Sequence, residues 1–307
     1  MTSVVPNGVT ALSHLGVIRV EGPDAASFLH GQLTQDFALL GASEARLAAL
    51  CTAKGRVIAS FIGIRPEPER VLLVCSRDIL AATLKRLSMY VLRAKARLSD
   101  ASAEFALYGL AGTALTANGL DAGALPGLAR AVGEAHAVTL YPSDGVPRAL
   151  WIAAAGSPAP EGAAIDLATW QWSEVRSGIV TLTTPVVEAF VPQMINYESV
   201  GGVNFKKGCY PGQEIVARSQ FRGTLKRRTY LVQASDEIAA GEEVFAANDP
   251  EQPVGTVAQA APAPGGGWAA LISIQIAAID AGGLHARAAD GPALTVEPLP
   301  YPLLEDI

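Results

Sequence analysis

Cysteine is scarce in this chain. There are 3 in 307 residues, Cys51, Cys75 and Cys209, odd in number and far apart. That spacing excludes a disulfide framework and fits a reducing compartment. No Cys-x-x-Cys occurs, so an iron–sulfur cluster held by cysteines alone has no ligand set. The 4 histidines, His14, His30, His136 and His285, stand apart from one another and from the cysteines, which removes the spacings of a zinc site. Long hydrophobic runs are also missing. The most apolar stretch, 271–281, is short and broken by Ser273, Gln275 and Asp280, too little for a membrane span. The N-terminus has no basic start followed by an apolar run, so a secretory signal is not expected there. Absence of a P-loop, of Gly-x-Gly-x-x-Gly and of Gly-x-Ser-x-Gly removes the common nucleotide-binding loops and the hydrolase elbow. A net charge of −6 argues against general binding to nucleic acid or anionic membranes. The expectation is a cytoplasmic protein with no membrane partner.

What is present is a core-forming composition, 50% hydrophobic, punctuated by 30 glycines and 20 prolines. That suits short elements joined by turns. Residues 15–20, 55–64 and 71–75 read as strands, the last two as a hairpin, with Asp24 as cap of a short helix, and 47–51 is an apolar run ended by Lys54-Gly55. Residues 78–91 carry apolar positions at helical spacing, and 94–98 close that unit as a strand. Further strands are expected at 105–110, 137–141 and 149–154, and helices at 112–119 and 163–177. From Leu225 onward, short apolar runs alternate with Gly/Pro/Asp turns, the texture of a small β-barrel or sandwich. The fold class expected is α+β.

Chemistry concentrates in one segment, Asn204-Phe-Lys-Lys-Gly-Cys-Tyr-Pro-Gly-Gln-Glu-Ile-Val-Ala-Arg218. Pro211 suits a first helical turn, which would place Cys209 just ahead of a helix N-terminus, where the dipole and Lys207 favour a thiolate. Gly208 and Gly212 permit close backbone approach. Gln213 and Glu214 offer a donor and acceptors to a heterocycle with amide-like edges, or simply complement the helix dipole. The alternative for Cys209 is a tight loop around an inert thiol. Lys206, Lys207, Arg218, Arg222, Lys226, Arg227 and Arg228 form a basic cluster suited to a polyanion, or a solvated lead-in to a strand. Trp170, Trp172, Phe190 and Tyr197 are candidates for lining a flat ligand slot, though such residues are more often core.

The run Lys207-Gly208-Cys209-Tyr210-Pro211-Gly212-Gln213-Glu214 resembles the signature of the YgfZ family, Lys-Gly-Cys-aromatic-x-Gly-Gln-Glu. A second block, Gly22-Pro23-Asp24-Ala25 with Phe28-Leu29-His30-Gly31-Gln32-Leu33-Thr34-Gln35-Asp36, is similar to one that YgfZ shares with the glycine-cleavage T-protein. The approach Phe190-Val191-Pro192-Gln193 through Asn196 to Gly201-Gly202-Val203 also fits. The resemblance implies three modules around a central opening: a discontinuous α+β domain at 1–50 and 100–224, a ferredoxin-like unit at 51–99 and a β-barrel at 225–307. It implies a tetrahydrofolate-binding factor for assembly or repair of iron–sulfur client enzymes, including tRNA-modifying ones. Cys209 and Lys207 would be the reactive pair. Gly208, Gln213, Glu214, Arg218, Asn196, Phe190, Glu174 and Arg176 would surround the cofactor, with the basic cluster taking its glutamate tail. An aminomethyl-type transferase is the alternative, although the T-protein's catalytic aspartate has no clear counterpart. A non-catalytic module touching tRNA weakly through Lys226, Arg227 and Arg228 is another. One departure stands out. Relatives place a glutamate in an Arg/Asn-x-Glu-x-Gly segment, and here Glu174-Val175-Arg176-Ser177-Gly178 puts Arg176 at that position.

Overall fold

The computed structural model describes residues 5–222 and 225–304. The first half of the chain runs β1 (Gly8–Ala11), β2 (Leu15–Glu21), α1 (Ala25–His30), β3 (Ala45–Cys51), β4 (Val57–Glu67), β5 (Arg70–Ser76), α2 (Arg77–Ser88), β6 (Arg97–Asp100), β7 (Phe105–Ala111) and α3 (Thr113–Ala117). It continues with β8 (Ala129–Val132), β9 (Ala135–Ser143), β10 (Val146–Ala154), α4 (Leu167–Arg176) and α5 (Gln213–Phe221). The last part is β11 (Arg227–Ala234), β12 (Glu243–Ala246), β13 (Gly255–Pro262), β14 (Trp268–Gln275), α6 (Ile276–Ala281), β15 (Leu284–Ala286) and β16 (Ala293–Glu297). No helix among the described residues is long and apolar enough to cross a membrane.

These elements make two five-stranded sheets, ordered β1-β7-β10-β9-β8 and β3-β4-β5-β2-β6, and a closed barrel β11-β14-β13-β12-β15-β16. The α+β class and the C-terminal barrel are as the sequence reads. The unit expected at 51–99 does not have a sheet of its own. β4 pairs antiparallel with β3 across a tight turn, and β5 and β6 both pair with β2. A strand buried on both faces needs partners on both edges, so β2, fully apolar at Val17, Ile18 and Val20, takes the centre between β5 and β6.

Two local expectations change. Asp24 makes no cap to α1; its carboxylate accepts the Lys95 amide at 2.7 Å and ties the start of α1 to the lead-in of β6. The helix expected from residue 163 starts at Leu167, capped by Asp166 accepting the Thr169 amide at 2.6 Å. Residues before it are extended because Val9 and Ile165 exchange backbone bonds with Ala163 and Val9 at 2.7 and 3.0 Å. α4 then packs against barrel strands β13 and β14 and against β9. Its Trp170 lies flat on Gly109 of β7, where an added Cβ would meet the indole at 2.6 Å.

Candidate functional site

The cysteine motif forms a loop clamped from two sides. Lys207 is buried, and its Nζ donates to the carbonyls of His30 and of Leu33, the latter at 2.8 Å, while lying 4.6 Å from the Tyr210 ring centre. Burial pulls this ammonium down to about 8, against the opposing pull of Asp36 and of the Cys209 sulfur. Asp36 in turn pairs with His30 Nδ1 at 2.9 Å and accepts the Leu39 amide at 3.0 Å. Its burial favours the neutral acid, yet these bonds outweigh it and hold the carboxyl below its usual range.

On the other side, Gly212 has φ +82, and a Cβ there would stand 2.4 Å from the Thr52 carbonyl oxygen and 2.7 Å from Gly55 Cα. Only glycine serves at a left-handed position in such contact. The loop is therefore pressed backbone to backbone against the β3–β4 turn.

Cys209 and Gly208 are exposed, and so are Glu214 and Arg218; Gln213 is half-buried. α5 opens at Gln213 with Gly212 as its cap residue, so Pro211 stands outside the helix and Cys209 lies before both. The Pro211-Gly212 turn thus stands between the thiol and the helix end. Cys51 and Cys75 are buried, and burial pushes both thiols up to about 12. Thiol labelling near neutral pH consequently reports Cys209 alone. Replacing Lys207 with methionine is expected to slow iodoacetamide alkylation of Cys209 several-fold at pH 7. The sign follows from Lys207: its charge is present below about pH 8 and lost above, so the two rates should converge as pH passes that value. Equal rates at pH 7 would remove Lys207 from the thiol's chemistry, and any labelling of Cys51 would reveal unfolding instead.

A cavity of about 340 Å³ opens between the two sheets. Its walls come from β3, β4, β9 and β10, from α4 and the chain just beyond it, and from Val200-Gly201. The lining is apolar except for Gln35, Arg46, Thr139, Tyr141, Arg148, Glu174, Ser177 and Thr181. The buried Glu174 carboxylate accepts from Trp170 Nε1 at 2.9 Å and pairs with His14 Nε2 at 3.2 Å. Arg148 is fully enclosed, its guanidinium 4.3 Å from the Trp170 ring centre. Its Nε has no partner, and Nη1 reaches only the Tyr141 carbonyl at 3.5 Å. Burial lowers this arginine to about 10, with Glu174 pulling the other way. A cation that makes so few of its five possible donor bonds in an enclosed site is poised for an acceptor that enters from the cavity.

The cavity and the cysteine loop share one wall, residues 30–36. Gln35 lines the cavity and donates to the Gly201 carbonyl at 2.7 Å. Arg46 lines it and donates to the Asp36 carbonyl at 2.5 Å. His30, at the other end of the segment, offers its carbonyl to Lys207.

Several expected site residues lie elsewhere. Arg176 does not line the cavity. It grips Asp144 in the β9–β10 turn through Nε and Nη2, at 2.8 and 2.7 Å, and pairs with Glu297 of β16 through Nη1. Asn196 is buried in the left-handed conformation, φ 57, and exchanges bonds with the Thr229 backbone at 2.8 and 3.2 Å. These bonds seam the segment to the barrel. Phe190 belongs to the core and its carbonyl accepts the Val57 amide at 2.8 Å. Trp170 and Tyr197 are core residues too. Of the basic cluster, none lines the cavity; the cations that do are Arg148 and Arg46, the latter paired with Glu44 at 3.0 Å. Arg228 is buried against Glu198 and does not face solvent, whereas Lys226 is exposed and Arg227 half-buried. His14, Arg46, Tyr141 and Arg148 carry no site signal in the sequence, and Gln35 is marked only as part of the block shared with the T-protein. They come from five separate stretches, and no spacing in the chain joins them.

The comparisons agree with this architecture. The family model of the GCVT N-terminal domain matches residues 5–116. The crystal structure of the glycine cleavage system aminomethyltransferase T from Bartonella henselae superposes with a TM-score of 0.64, covering 95% of this chain and 85% of that one at 18% identity, a likeness of fold. The tRNA-modifying protein YgfZ of Sodalis glossinidius is 31% identical over 99% of this chain and 96% of its own length. That of Edwardsiella ictaluri is 33% identical over 92% of this chain and 89% of its own. With that identity carried across nearly the full length of both chains, this protein belongs to the YgfZ family.

Proposed function

We propose that the protein is a tetrahydrofolate-binding factor that serves tRNA modification by sustaining the iron–sulfur enzymes involved, with Cys209 as its reactive group. The observation that carries the reading is the cavity's donor set. Glu174 offers a buried carboxylate to the amine and ring N–H of a pterin, and Arg148 offers unpartnered N–H groups to its carbonyl side. Apolar walls from Leu47, Ile62, Val138, Leu140 and Ile179 suit the flat ring. These residues fit the group, and when bound, a reduced folate supplies one-carbon units. Arg46 and Gln35 stand where polar parts of the ligand can be met. Lys207 sustains charge next to Cys209 on the far side of the shared wall, so the thiol serves a partner that arrives from solvent.

Calorimetric titration of the purified protein with tetrahydrofolate tests this. Saturable one-to-one binding, lost in Arg148→Met while Cys209→Ser binds normally, is expected. No heat of binding at millimolar ligand would remove the folate reading.

A further inference from the structure

A second recess lies apart from the cavity and shares no lining residue with it. It runs between the outer side of α5 and the start of the barrel and has a volume of about 410 Å³. Val191, Met194 and Leu225 form an apolar floor, Ile215, Arg218 and Ser219 the α5 side, and Lys226 and Arg227 the barrel side. None of the described lining residues is acidic.

Arg218 and Lys226 are exposed, and neither forms an ion pair with a carboxylate of the described residues. Arg227 donates through Nη1 to the Val254 carbonyl at 2.9 Å and meets no carboxylate. Burial lowers Arg227, and so does the charge of Arg56 close by, whose Nη1 is held by the Ala189 carbonyl at 2.7 Å. In a chain of net charge −6, like charges gathered in one groove with only Glu214 of α5 near them are an electrostatic cost that a bound anion would relieve.

We propose that this groove is a binding site for single-stranded RNA, with backbone phosphates on Arg218, Lys226 and Arg227 and a base face on the apolar floor. Cations around an apolar trough are the arrangement by which proteins hold unpaired strands. The exposed Phe221, set edge-on to Phe205 at 5.3 Å, offers a further ring at the end of α5. A smooth duplex has its bases stacked inward and cannot place one in a recess. At its other end α5 begins directly behind the cysteine motif, so a strand lying along the helix is led towards Cys209. The proposal goes beyond the proposed function by adding direct contact with RNA, and makes no use of the cavity.

The test is fluorescence anisotropy with a labelled 12-nucleotide single strand and its duplex, across a salt series. Arg218→Glu/Lys226→Glu is compared with Lys85→Glu/Arg86→Glu, the same charge change on α2. The groove variant should lose at least tenfold in affinity, and its slope of log K against log salt should flatten by about 1.4, at roughly 0.7 per phosphate contact. The α2 variant should bind like wild type. Failure of wild type to bind the single strand, equal or tighter binding of the duplex, or equal losses in both variants would each overturn the site. Tetrahydrofolate titration of the groove variant should match wild type. A protein that binds RNA here but never binds folate would refute the cavity reading alone.

Discussion

Replacing Arg228 with methionine is expected to cost about 3–5 kcal/mol of folding stability at pH 7, the scale for breaking a buried ion pair. The Glu198 side chain is wholly enclosed, and its Oε2 has no partner even in the native protein. Once the guanidinium is gone, the described donors left to that carboxylate are Ser199 Oγ, at 3.0 Å, and a backbone N–H. Burial already raises Glu198, with Arg228 opposing, and the variant would raise it further. The sign is then fixed. A carboxyl whose folded value lies above its unfolded one favours the fold at low pH and loses that advantage as pH rises. The deficit of Arg228→Met should therefore be small below about pH 4, where the acid is neutral in both states, and grow towards neutrality. Urea midpoints at pH 4 and 7 check this. Adding Glu198→Leu should recover most of the loss, since an apolar pair of similar volume commonly replaces a buried ion pair at little cost. A deficit that does not change with pH would show that the pair's electrostatics do not matter.

Glu174→Gln is expected to weaken tetrahydrofolate binding about 30- to 150-fold, the equivalent of about 2–3 kcal/mol for a charged hydrogen-bond acceptor in an enclosed site. The amide still accepts from Trp170 Nε1, so near-ultraviolet circular dichroism should report a native core. Arg176→Glu is the matched comparison. It places a glutamate where the family pattern has one, yet the position points at Asp144 and Glu297, outside the cavity. It should leave folate affinity within about twofold of wild type while lowering stability, because three carboxylates would then meet without a cation. Recovery or gain of affinity in Arg176→Glu would mean that the family pattern, and not the cavity's own geometry, identifies the ligand's acceptor.

The barrel was legible because its signal is local, with short apolar runs between turn residues. The cysteine motif was legible for the same reason. The sheets were only half legible. Strand positions in β4, β5 and β10 follow from periodicity, but pairing is a long-range choice, and β2 finds partners in β5 and β6 that stand 49 or more positions along the chain. β1, β8 and β15 have only three or four residues each and carry too little pattern to see. Glu174 was visible as a carboxylate near a motif position. Arg148 was not, since an arginine in a strand reads as exposed until Trp170 and the second sheet close over it. Asn196 and Phe190 sit in motif-like segments for structural reasons, one latching the barrel and one filling the core.

α4 carries Glu174 on the side that meets the cavity and Arg176 on the side that clasps the β9–β10 turn and the barrel. Two residues of one rigid rod cannot move independently. The barrel and the cavity wall are thus joined mechanically through one short helix, with the clasp at its end and the carboxylate half a turn before it.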